Sequence, residues 1–364
     1  MRICLNMIVK NESAVIERCL HSVLPHIQSW AIADTGSTDG TQDLVRRLLA
    51  HLPGELIERP WVDFATNRNE ALDLARRHGD YALLIDADDL LEVDRNRSFQ
   101  GLDGPGYALE IIDKVTNYWR PALVRLDVDW SWRGVLHEHL DGSRLAETKK
   151  IGGARIRRIG GGARSAGDTA AKYRRDAEIL RRALIDEPGN ARYAFYLAQS
   201  LQDAGEAAEA LAAYRRRADM GGWAEEVYLA KLAIARLKQQ LGHPFEEVVS
   251  AYLDARDFRP GRAESSCFLA QYLRVQGRYD EACDHARTAC ATPLPADSLM
   301  VNRHAYGWLP RYELAAALYM LHDYAGCVEV CREMLSDPLL PPAEHSRVRR
   351  NIDAATAAMA AQRR

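Results

Sequence analysis

The stretch LLIDADDLLE, residues 83–92, joins a short apolar run to three aspartates, Asp86, Asp88 and Asp89. The apolar run is typical of a buried strand. Charged groups at the end of such a strand are costly unless a cation or hydrogen-bond donors lie beside them. We therefore expect the aspartates to form a site that holds a cation or several donor groups.

Short apolar runs alternate with amphipathic helical patterns around this stretch. This alternation predicts an α/β fold with a mostly parallel sheet that helices cover on both faces. We assign residues 1–165 to this domain. Its strand-like runs are ICLNMIV (3–9), WAIAD (30–34), ELIERP (55–60), YALLID (81–86), YALEII (107–112) and PALVRL (121–126).

The pattern of residues 166–364 contains almost no strand signal. Residues 196–210 (YLAQSLQDAGEAAEA) align with 268–282 (FLAQYLRVQGRYDEA) at an offset of 72 residues, and weaker copies occupy 232–248 and 313–330. Half of that offset is close to the tetratricopeptide period of about 34 residues. We expect an all-α domain of such repeats, with Asp323 at the glycine place of the fourth copy; an irregular helical bundle is the alternative.

Composition narrows the class of protein. The chain has 48 Lys and Arg against 51 Asp and Glu, which disfavours a nucleic-acid partner or a membrane surface. The apolar start, Met1–Val9, is short, so we expect no signal peptide, and no apolar run approaches the roughly 18 residues of a transmembrane helix.

The seven cysteines form no CxxC pair. We therefore expect reduced thiols and a cytoplasmic protein.

Polar residues follow several predicted strands. Asp86 and Asp88 follow one strand, Asp34 follows another, and the first strand leads to Glu12. Open parallel sheets bind ligands at this edge. Side-chain alternation would put Asp86 and Asp88 on one side, and their carboxylates suit Mn²⁺ or Mg²⁺ as a cofactor. We expect a divalent cation that also contacts phosphate groups.

Four motifs in the first 140 residues resemble the family 2 glycosyltransferases, which have the nucleotide-sugar-binding fold called GT-A. They are MIVKNE (7–12), ADTGSTDGT (33–41), NRNEAL (67–72) and DADD (86–89), in the order of that family. The helical extension resembles bacterial chains in which such a domain carries tetratricopeptide repeats, and more loosely the glycocin peptide S-glycosyltransferases. The resemblance implies an inverting, metal-dependent transferase that uses a nucleotide-diphosphate sugar, with UDP-sugars favoured.

The resemblance also implies roles for single residues. Glu12 and Asp34 would hydrogen-bond the ribose and base of the nucleotide. Arg68 and Asn69 would lie beside the diphosphate and the nucleobase. Asp86 would contact the ribose or the metal, and Asp88 would bind the metal.

The loop after the second strand has a structural interpretation. Ser37, Thr38 and Asp39 are residues that favour helix N-termini, and Asp39 and Gln42 have the spacing of a capping box. We therefore expect this loop to cap the following helix.

The segment WRGVLHEHL (132–140) places Glu138 between His137 and His139 in a strand-like setting. It is similar to the G-V-x-H-E segment of related transferases, which implies that Glu138 is the general base. An apolar surrounding raises the pKa of such a glutamate toward useful values. His137 is a candidate third metal ligand or phosphate contact. A surface strand with salt bridges is the alternative.

The segment KKIGGARIRRIGGGAR (149–164) is basic and rich in glycine. Related chains have an I-x-H-x-G pattern here, with the histidine beside the donor, and this chain has Arg158 at that place. Arginine does not ligate a metal, but it supplies charge to a diphosphate. We expect a mobile loop that closes over the donor; a basic surface linker is the alternative.

Two function classes follow. The first is a glycosyltransferase whose repeats hold a polypeptide acceptor or a partner protein. The second is a non-catalytic helical-repeat scaffold with a degenerate transferase domain. A nucleotidyltransferase is disfavoured because no glycine-rich, lysine-bearing loop follows the first strand.

Overall fold

The structure is a computed structural model that describes residues 1–95, 99–113, 116–162 and 168–362. The chain divides into two compact units, Met1–Gly205 and Glu206–Arg364. The domain boundary that we predicted at 165–166 lies outside the described residues.

The first unit begins with alternating strands and helices and ends with two helices. Its elements are β1 (Ile3–Val9), α1 (Ile16–Val23), β2 (Ser29–Asp34), α2 (Thr41–Leu48), β3 (Gly54–Glu58), α3 (Phe64–Ala75), β4 (Tyr81–Leu84), β5 (Asp89–Val93), β6 (Gly106–Asp113), β7 (Thr116–Arg125), β8 (Ser131–Arg133), β9 (His139–Asp141), β10 (Lys149–Arg158), α4 (Thr169–Asp186) and α5 (Ala191–Asp203).

The main sheet of this unit is mixed. Its strands lie in the order β3-β2-β1-β4-β7-β6-β10-β5. The pairs β1–β2, β1–β4, β2–β3 and β6–β10 are parallel, whereas β4–β7, β6–β7 and β5–β10 are antiparallel. The predicted α/β fold with a mostly parallel sheet is therefore confirmed. Strands β8 and β9 form a separate antiparallel pair.

Strand β1 shows why the sheet needs cover on both faces. Its alternate residues Ile3, Leu5 and Met7 pack in one core with α1, while Cys4 packs in the opposite core with residues of α3. Because successive side chains point to opposite faces, a strand with apolar residues on both sides must be covered on both faces. The carboxyl ends of β1, β2 and β4 are thereby fixed at one edge of the sheet.

The basic segment differs from our expectation of a mobile loop. Residues Lys149–Arg158 form strand β10, in which Ile151, Ala154 and Ile156 are buried. Arg155 and Arg157 each donate to Glu92 of β5, at 2.8 and 2.6 Å. From Ala154 to Arg157 the apolar and basic residues therefore alternate as in a strand with one face in the core, after an irregular register between Lys150 and Arg155. The last residues of the predicted loop, 163–164, lie outside the described part of the chain.

The second unit contains consecutive helices that pack on their neighbours in sequence. Apart from the two-residue strand Val301–Asn302, this confirms the predicted all-α, tetratricopeptide-like domain. The helices are α6 (Ala207–Asp219), α7 (Ala224–Gln240), α8 (Phe245–Phe258), α9 (Glu264–Val275), α10 (Tyr279–Ala291), α11 (Trp308–Met320), α12 (Tyr324–Leu335) and α13 (Pro342–Gln362).

The turns inside the helix pairs use left-handed backbone. Gly242 (φ 69°) and Gly277 (φ 77°) adopt it between α7 and α8 and between α9 and α10. Between α11 and α12 the residue is His322, with φ 63°. Asp323, which we had assigned to this place, instead caps α12 by accepting from the amide of Gly326 at 2.9 Å. Our repeat alignment was thus one residue off in the fourth copy.

The cysteines agree with the prediction, since all seven are free thiols and six of them are buried. In the part of the chain that the structure describes, no helix is both long and apolar enough to cross a membrane.

Candidate functional site

The three aspartates lie at the connection between β4 and β5. Strand β4 ends at Leu84 and β5 begins at Asp89, and the amide of Asp89 donates to the carbonyl of Asp86 at 3.1 Å. Asp86 and Asp88 therefore occupy a turn. The strand alternation from which we placed them on one side does not apply there, and the two carboxylates have different surroundings.

Arg68 of α3 joins two of the predicted site residues. Its Nη2 donates to Oδ1 of Asp86 at 2.6 Å, and its Nε donates to Oε1 of Glu138 at 2.7 Å. Nη1 of Arg120, on β7, lies 3.8 Å from Oδ2 of Asp86. Three separate segments, α3, the β4–β5 turn and the loop before β9, consequently meet at one guanidinium group.

Charge pairing controls the ionisation of this cluster. Burial disfavours the charged form of Asp86, but Arg68 and Arg120 outweigh it and hold the pKa of this carboxyl well below its usual range. Burial likewise opposes the charge on Arg68, yet Asp86 and Glu138 raise its pKa. Both side chains are therefore charged at neutral pH, and their hydrogen bonds are of the strong, charge-assisted kind.

Asp89 behaves differently because it is 2% exposed. Burial, and then the charge of Asp86, raise its pKa to about 7. The repulsion that the sequence implied is thus relieved in two ways. Arginines neutralise Asp86, and Asp89 holds its proton below about pH 7.

Sequence reasoning missed two arginines of this cluster, Arg18 and Arg120. Arg18 of α1 donates to the backbone carbonyls of Asp88, at 3.2 Å, and of Gly160. Arg120 lies in the strand-like pattern of β7. An arginine in such a pattern was the only available signal, and its partner Asp86 is more than thirty residues away in the sequence.

Arg158, at the end of β10, lies near the same cluster. Its Cα is paired with that of Asp89 across the β5–β10 ladder, and its Nη1 lies 3.4 Å from Oδ2 of Asp113. Burial opposes its charge, but Tyr118, Asp89 and the other acidic groups raise its pKa. A permanent positive charge therefore stands where the resemblance placed a histidine.

Asp88 and Glu12 approach the same glycine. A Cβ atom on Gly162 would lie 2.8 Å from Oε2 of Glu12 and 3.1 Å from Oδ2 of Asp88. Two carboxylates in one place suit a hard cation that takes its remaining ligands from phosphate and water. The donor set around Asp88 therefore fits Mn²⁺ or Mg²⁺.

The predicted third metal ligand, His137, has other surroundings. Its ring stacks on the ring of Tyr196, with centroids 3.8 Å apart and an angle of 4° between the planes. Among the described residues, no group of three or more His, Cys, Asp or Glu side chains forms a metal-binding cluster. The structure thus does not bring His137 together with Asp86 and Asp88 in such a group.

Asp34, at the end of β2, has an acceptor atom that its neighbours leave unused. Its Oδ1 accepts from the amides of Gly36 and Ser37, both at 2.9 Å, and from Gln42 at 3.1 Å. Its Oδ2 is buried and has no hydrogen-bond partner in the described part of the chain. Because a buried acceptor without a donor is costly, this atom suits a donor group of a ligand.

The loop caps the following helix as predicted, since Oδ1 of Asp39 accepts from the amide of Thr41, the first residue of α2, at 3.1 Å. The reciprocal contact of the predicted capping box, from Gln42 back to Asp39, is wrong. Gln42 donates to Asp34 and to the carbonyl of Ser37 instead of returning to Asp39. Gln42 therefore stabilises the loop that holds Asp34.

Asn69 lies beside Arg68, but its amide contacts the protein backbone. Its Oδ1 accepts from the amide of Trp132 at 2.7 Å, and its Nδ2 donates to the carbonyl of Trp132 at 3.0 Å. The guanidinium of Arg68 lies 5.0 Å from the centre of the Trp132 ring. Asn69 thus fixes β8 against α3, and its contact with a nucleobase stays a prediction.

Glu138 lies in a loop, which differs from the strand-like segment that we predicted. Residues 134–138 connect the short strands β8 and β9. Gly134 (φ 108°) and His137 (φ 51°) both have left-handed backbone. Glu138 is therefore presented by an irregular turn rather than by a continuous strand.

A cleft of about 650 Å³ adjoins this loop. Its size is typical of small-molecule sites. Its lining includes Asp63, Trp132, Val135, His139, Glu187 and Tyr193. Because Val135 and His139 belong to or directly follow the 134–138 loop, the cleft adjoins the loop that carries the predicted base.

Comparisons with known proteins agree with this architecture. Residues 4–99 match the profile described as Glycosyl transferase family 2. Over 154 residues the chain is 30% identical to a TPR repeat-containing protein of Synechococcus elongatus, a match that covers 40% of this chain and 37% of that protein. The match thus spans little more than a third of the relative's length.

Solved structures with some similarity are repeat proteins. A tetratricopeptide repeat protein from Parabacteroides merdae shares 16% identity at a TM-score of 0.39, over 52% of this chain and 71% of that chain. The C-terminal part of a TPR repeat-containing protein from Cytophaga hutchinsonii shares 14% identity at a TM-score of 0.43, over 52% of this chain and 67% of that chain.

Proposed function

We propose that this chain, which carries a glycosyl transferase family 2 domain followed by tetratricopeptide-like repeats, transfers a sugar from a nucleotide-diphosphate donor to an acceptor nucleophile. The observation that carries the proposal is the meeting of Asp86 and Glu138 at Arg68. Through Arg68, Asp86, which we expect at the donor, lies close to Glu138, which we expect to act as the general base.

The donor is a nucleotide-diphosphate sugar, with a UDP-sugar favoured. The unpartnered Oδ2 of Asp34 offers an acceptor to a ribose hydroxyl or to the N3–H of uracil. Glu12 lies at the neighbouring strand end. Arg158 supplies positive charge toward the diphosphate, since its charge is permanent.

Asp88, with Glu12 beside it, would hold Mn²⁺ or Mg²⁺. When bound, the cation would neutralise negative charge that develops on the leaving diphosphate. Arg68 and Arg120 already neutralise Asp86. Asp88 is therefore the carboxylate of the turn that is better placed for the metal.

Glu138 takes the proton of the acceptor nucleophile as this attacks the sugar. Arg68 holds Oε1 of Glu138 at 2.7 Å and thereby fixes the direction of the carboxylate. Inverting transfer requires a base on the acceptor side and no covalent sugar intermediate. We place the acceptor's reacting end in the cleft that adjoins the loop carrying Glu138, because this cleft is lined by other residues of that loop.

The repeats would bind a polypeptide acceptor or a partner protein, because helical repeats present extended surfaces to such chains. The rival interpretation is a scaffold with an inactive transferase domain. The paired state of Arg68, Asp86 and Glu138 supports the enzyme over the scaffold, since both carboxylates are held in defined positions.

The test is a screen of nucleotide sugars for release of nucleotide diphosphate, with wild type and Glu138→Gln. We expect turnover of one donor by wild type and about a hundredfold or greater loss in the variant, because a general base contributes about that much. Binding of the donor should be retained.

Glu58→Gln is the matched control, since Glu58 is exposed and pairs with Arg46 on the surface. Its turnover should equal that of wild type. Unchanged kcat in Glu138→Gln would remove the base assignment, and a wild-type protein that neither binds nor turns over any nucleotide sugar would favour the scaffold.

A further inference from the structure

We propose that helix α5 holds the loop that carries Glu138, and that Arg192 and Tyr196 are positioning residues for this base. The inference rests on the proposed function, in which Glu138 takes the acceptor proton. It assigns a role in the reaction to a helix that carries the start of the sequence repeats. Both the helix and the loop belong to the first unit, Met1–Gly205.

Arg192 binds the loop through its backbone. Its Nε and Nη2 both donate to the carbonyl oxygen of His137, at 3.0 and 2.9 Å. A carbonyl oxygen has two lone pairs, so it can accept from both N–H groups on one edge of the guanidinium. The residue bound in this way immediately precedes Glu138, so the contact fixes the peptide from which the base extends.

Tyr196 binds the same residue through its ring. The His137 and Tyr196 rings are parallel within 4° and 3.8 Å apart, and the guanidinium of Arg192 lies 5.0 Å from the centre of the Tyr196 ring. Arg192 and Tyr196 are four residues apart and therefore lie on one face of α5. One helical face thus holds both the ring and the carbonyl of His137.

Backbone strain explains why the loop needs such contacts. His137 has φ 51°, a left-handed conformation that costs a non-glycine residue on the order of 1 kcal/mol. Strained conformations persist only where surrounding contacts determine them. The two contacts from α5 supply that restraint at the strained residue itself.

Tyr193 adds a contact at the other end of the loop. The amide of Val135 donates to its hydroxyl oxygen at 3.4 Å. A Cβ atom on Gly134 would lie 3.8 Å from its ring and 3.5 Å from the Cα of Glu138. The loop is therefore folded tightly against the first turns of α5.

The base is thus held from two directions. Arg68 fixes its carboxylate, and α5 fixes its backbone. Misplacement of a catalytic group by about 1 Å can cost about a hundredfold in rate. Loss of the α5 contacts should therefore lower turnover while the donor site keeps its affinity, because Asp34, Arg68 and Asp88 lie outside α5.

The experiment combines hydrogen exchange with kinetics on the full-length chain. The variants are Arg192→Ala, Tyr196→Leu and the conservative Tyr196→Phe, which keeps the ring. Amide exchange is followed in peptides covering 134–139, without ligand. Release of UDP is followed with UDP-glucose, UDP-galactose and UDP-N-acetylglucosamine, and the nucleotide site is probed by titration with UDP.

We expect exchange at 134–139 to rise about tenfold in Arg192→Ala and Tyr196→Leu, because the loop opens locally. In the same variants kcat should fall about tenfold to a hundredfold, with KM for the donor unchanged. Tyr196→Phe keeps the ring, so its amide exchange at 134–139 and its kcat should both stay near the wild-type values. Arg182→Ala, on α4, is the matched control, since Arg182 is exposed and bonded to Glu178 at 3.2 Å.

If amide exchange at 134–139 is unchanged in both Arg192→Ala and Tyr196→Leu, the claim that α5 restrains the loop is wrong. Faster exchange with unchanged kcat would overturn the positioning role. A wild-type protein that neither binds UDP nor turns over any nucleotide sugar of the wider screen would refute the proposed function and with it any positioning of a base. The exchange data would then still decide whether α5 holds the loop, so the two failures are distinguishable.

Discussion

Arg68 is the residue on which the donor side and the acceptor side of the proposed reaction meet. Its fork of donors reaches Asp86 and Glu138 at once, and its side chain is 11% exposed. A lysine has the same charge but only a single nitrogen, so it cannot hold two carboxylates in fixed directions. The geometry of the guanidinium, in addition to its charge, orients the base.

Replacing Arg68 tests this geometry. We expect Arg68→Lys to lower kcat for release of UDP by about tenfold to a hundredfold, because one carboxylate loses its fixed partner. Steady-state kinetics with the donor found in the screen measures it. Arg77→Lys is the control, since Arg77 is exposed and pairs with Glu55 at 3.3 Å. Equal kcat in Arg68→Lys and wild type would show that charge alone is sufficient.

At this scale the sequence predicted part of the site. The motifs and the resemblance identified Arg68, Asp86 and Glu138, and the structure brings these three together. Arg18 and Arg120 were missed because each is isolated in its own element and meets the acidic turn only through the tertiary fold. A local pattern contains no information about such distant partners.

Local patterns misled us where one sequence suits two elements. The segment Lys149–Arg158 fits a basic loop by its composition and, from Ala154 onward, a strand by its alternation, and pairing with β6 and β5 decides for the strand. The spacing of Asp39 and Gln42 is that of a capping box, but the amide of Gln42 donates to Asp34 instead of returning to Asp39. In both cases a tertiary contact overrides a local preference.

The helix-pair turns give a prediction at the scale of elements. Gly277 has φ 77°, a conformation that is unfavourable for any side chain. We expect Gly277→Ala to lower the free energy of unfolding by about 1 kcal/mol, measured by chemical denaturation. Gly261→Ala is the matched control in the same unit, because Gly261 has no positive φ and no atom within 4 Å of its Cβ position. A loss no larger than that of the control would contradict the role of the turn.

The chain divides into two units, and the second contains a buried network of ion pairs. In the second unit, Arg262 is fully buried and bonds Glu264 at 2.8 Å and Asp297 at 3.0 Å. Arg259 donates to the same Asp297 at 2.7 Å. The sequence predicted the helices of this unit from their repeats, but not this network, because Asp297 lies in an irregular segment between α10 and α11.

Asp297 makes the stability of this unit dependent on pH. Burial would raise its pKa, but Arg259 and Arg262 outweigh burial and lower the pKa below its ordinary 3.8. A lowered folded-state pKa gives stability that is complete above the ordinary pKa and is lost as pH falls through the folded value. We therefore expect the free energy of unfolding to decrease below about pH 4.

Asp297→Asn should cost about 2 kcal/mol at pH 7, because Arg259 loses its carboxylate partner and the buried Arg262 keeps only Glu264 as a counter-charge. The cost should shrink as pH falls below the ordinary pKa, since the wild-type carboxyl is then neutral as well. Denaturation curves from pH 2 to 7 measure this, with Asp284→Asn, an exposed partner of Arg287, as control. A cost that is the same at every pH would contradict the charge-based explanation.

The most direct measurement is a calorimetric titration of the full chain with UDP, with and without Mn²⁺, for wild type and Asp88→Asn. The account predicts binding that requires the cation in wild type and is weakened more than about tenfold in the variant, because Asp88 would hold the ion that contacts the diphosphate. Asp43→Asn, an exposed aspartate of α2, should bind as wild type does. Equal affinity with and without Mn²⁺, or an unaffected Asp88→Asn, would contradict the account.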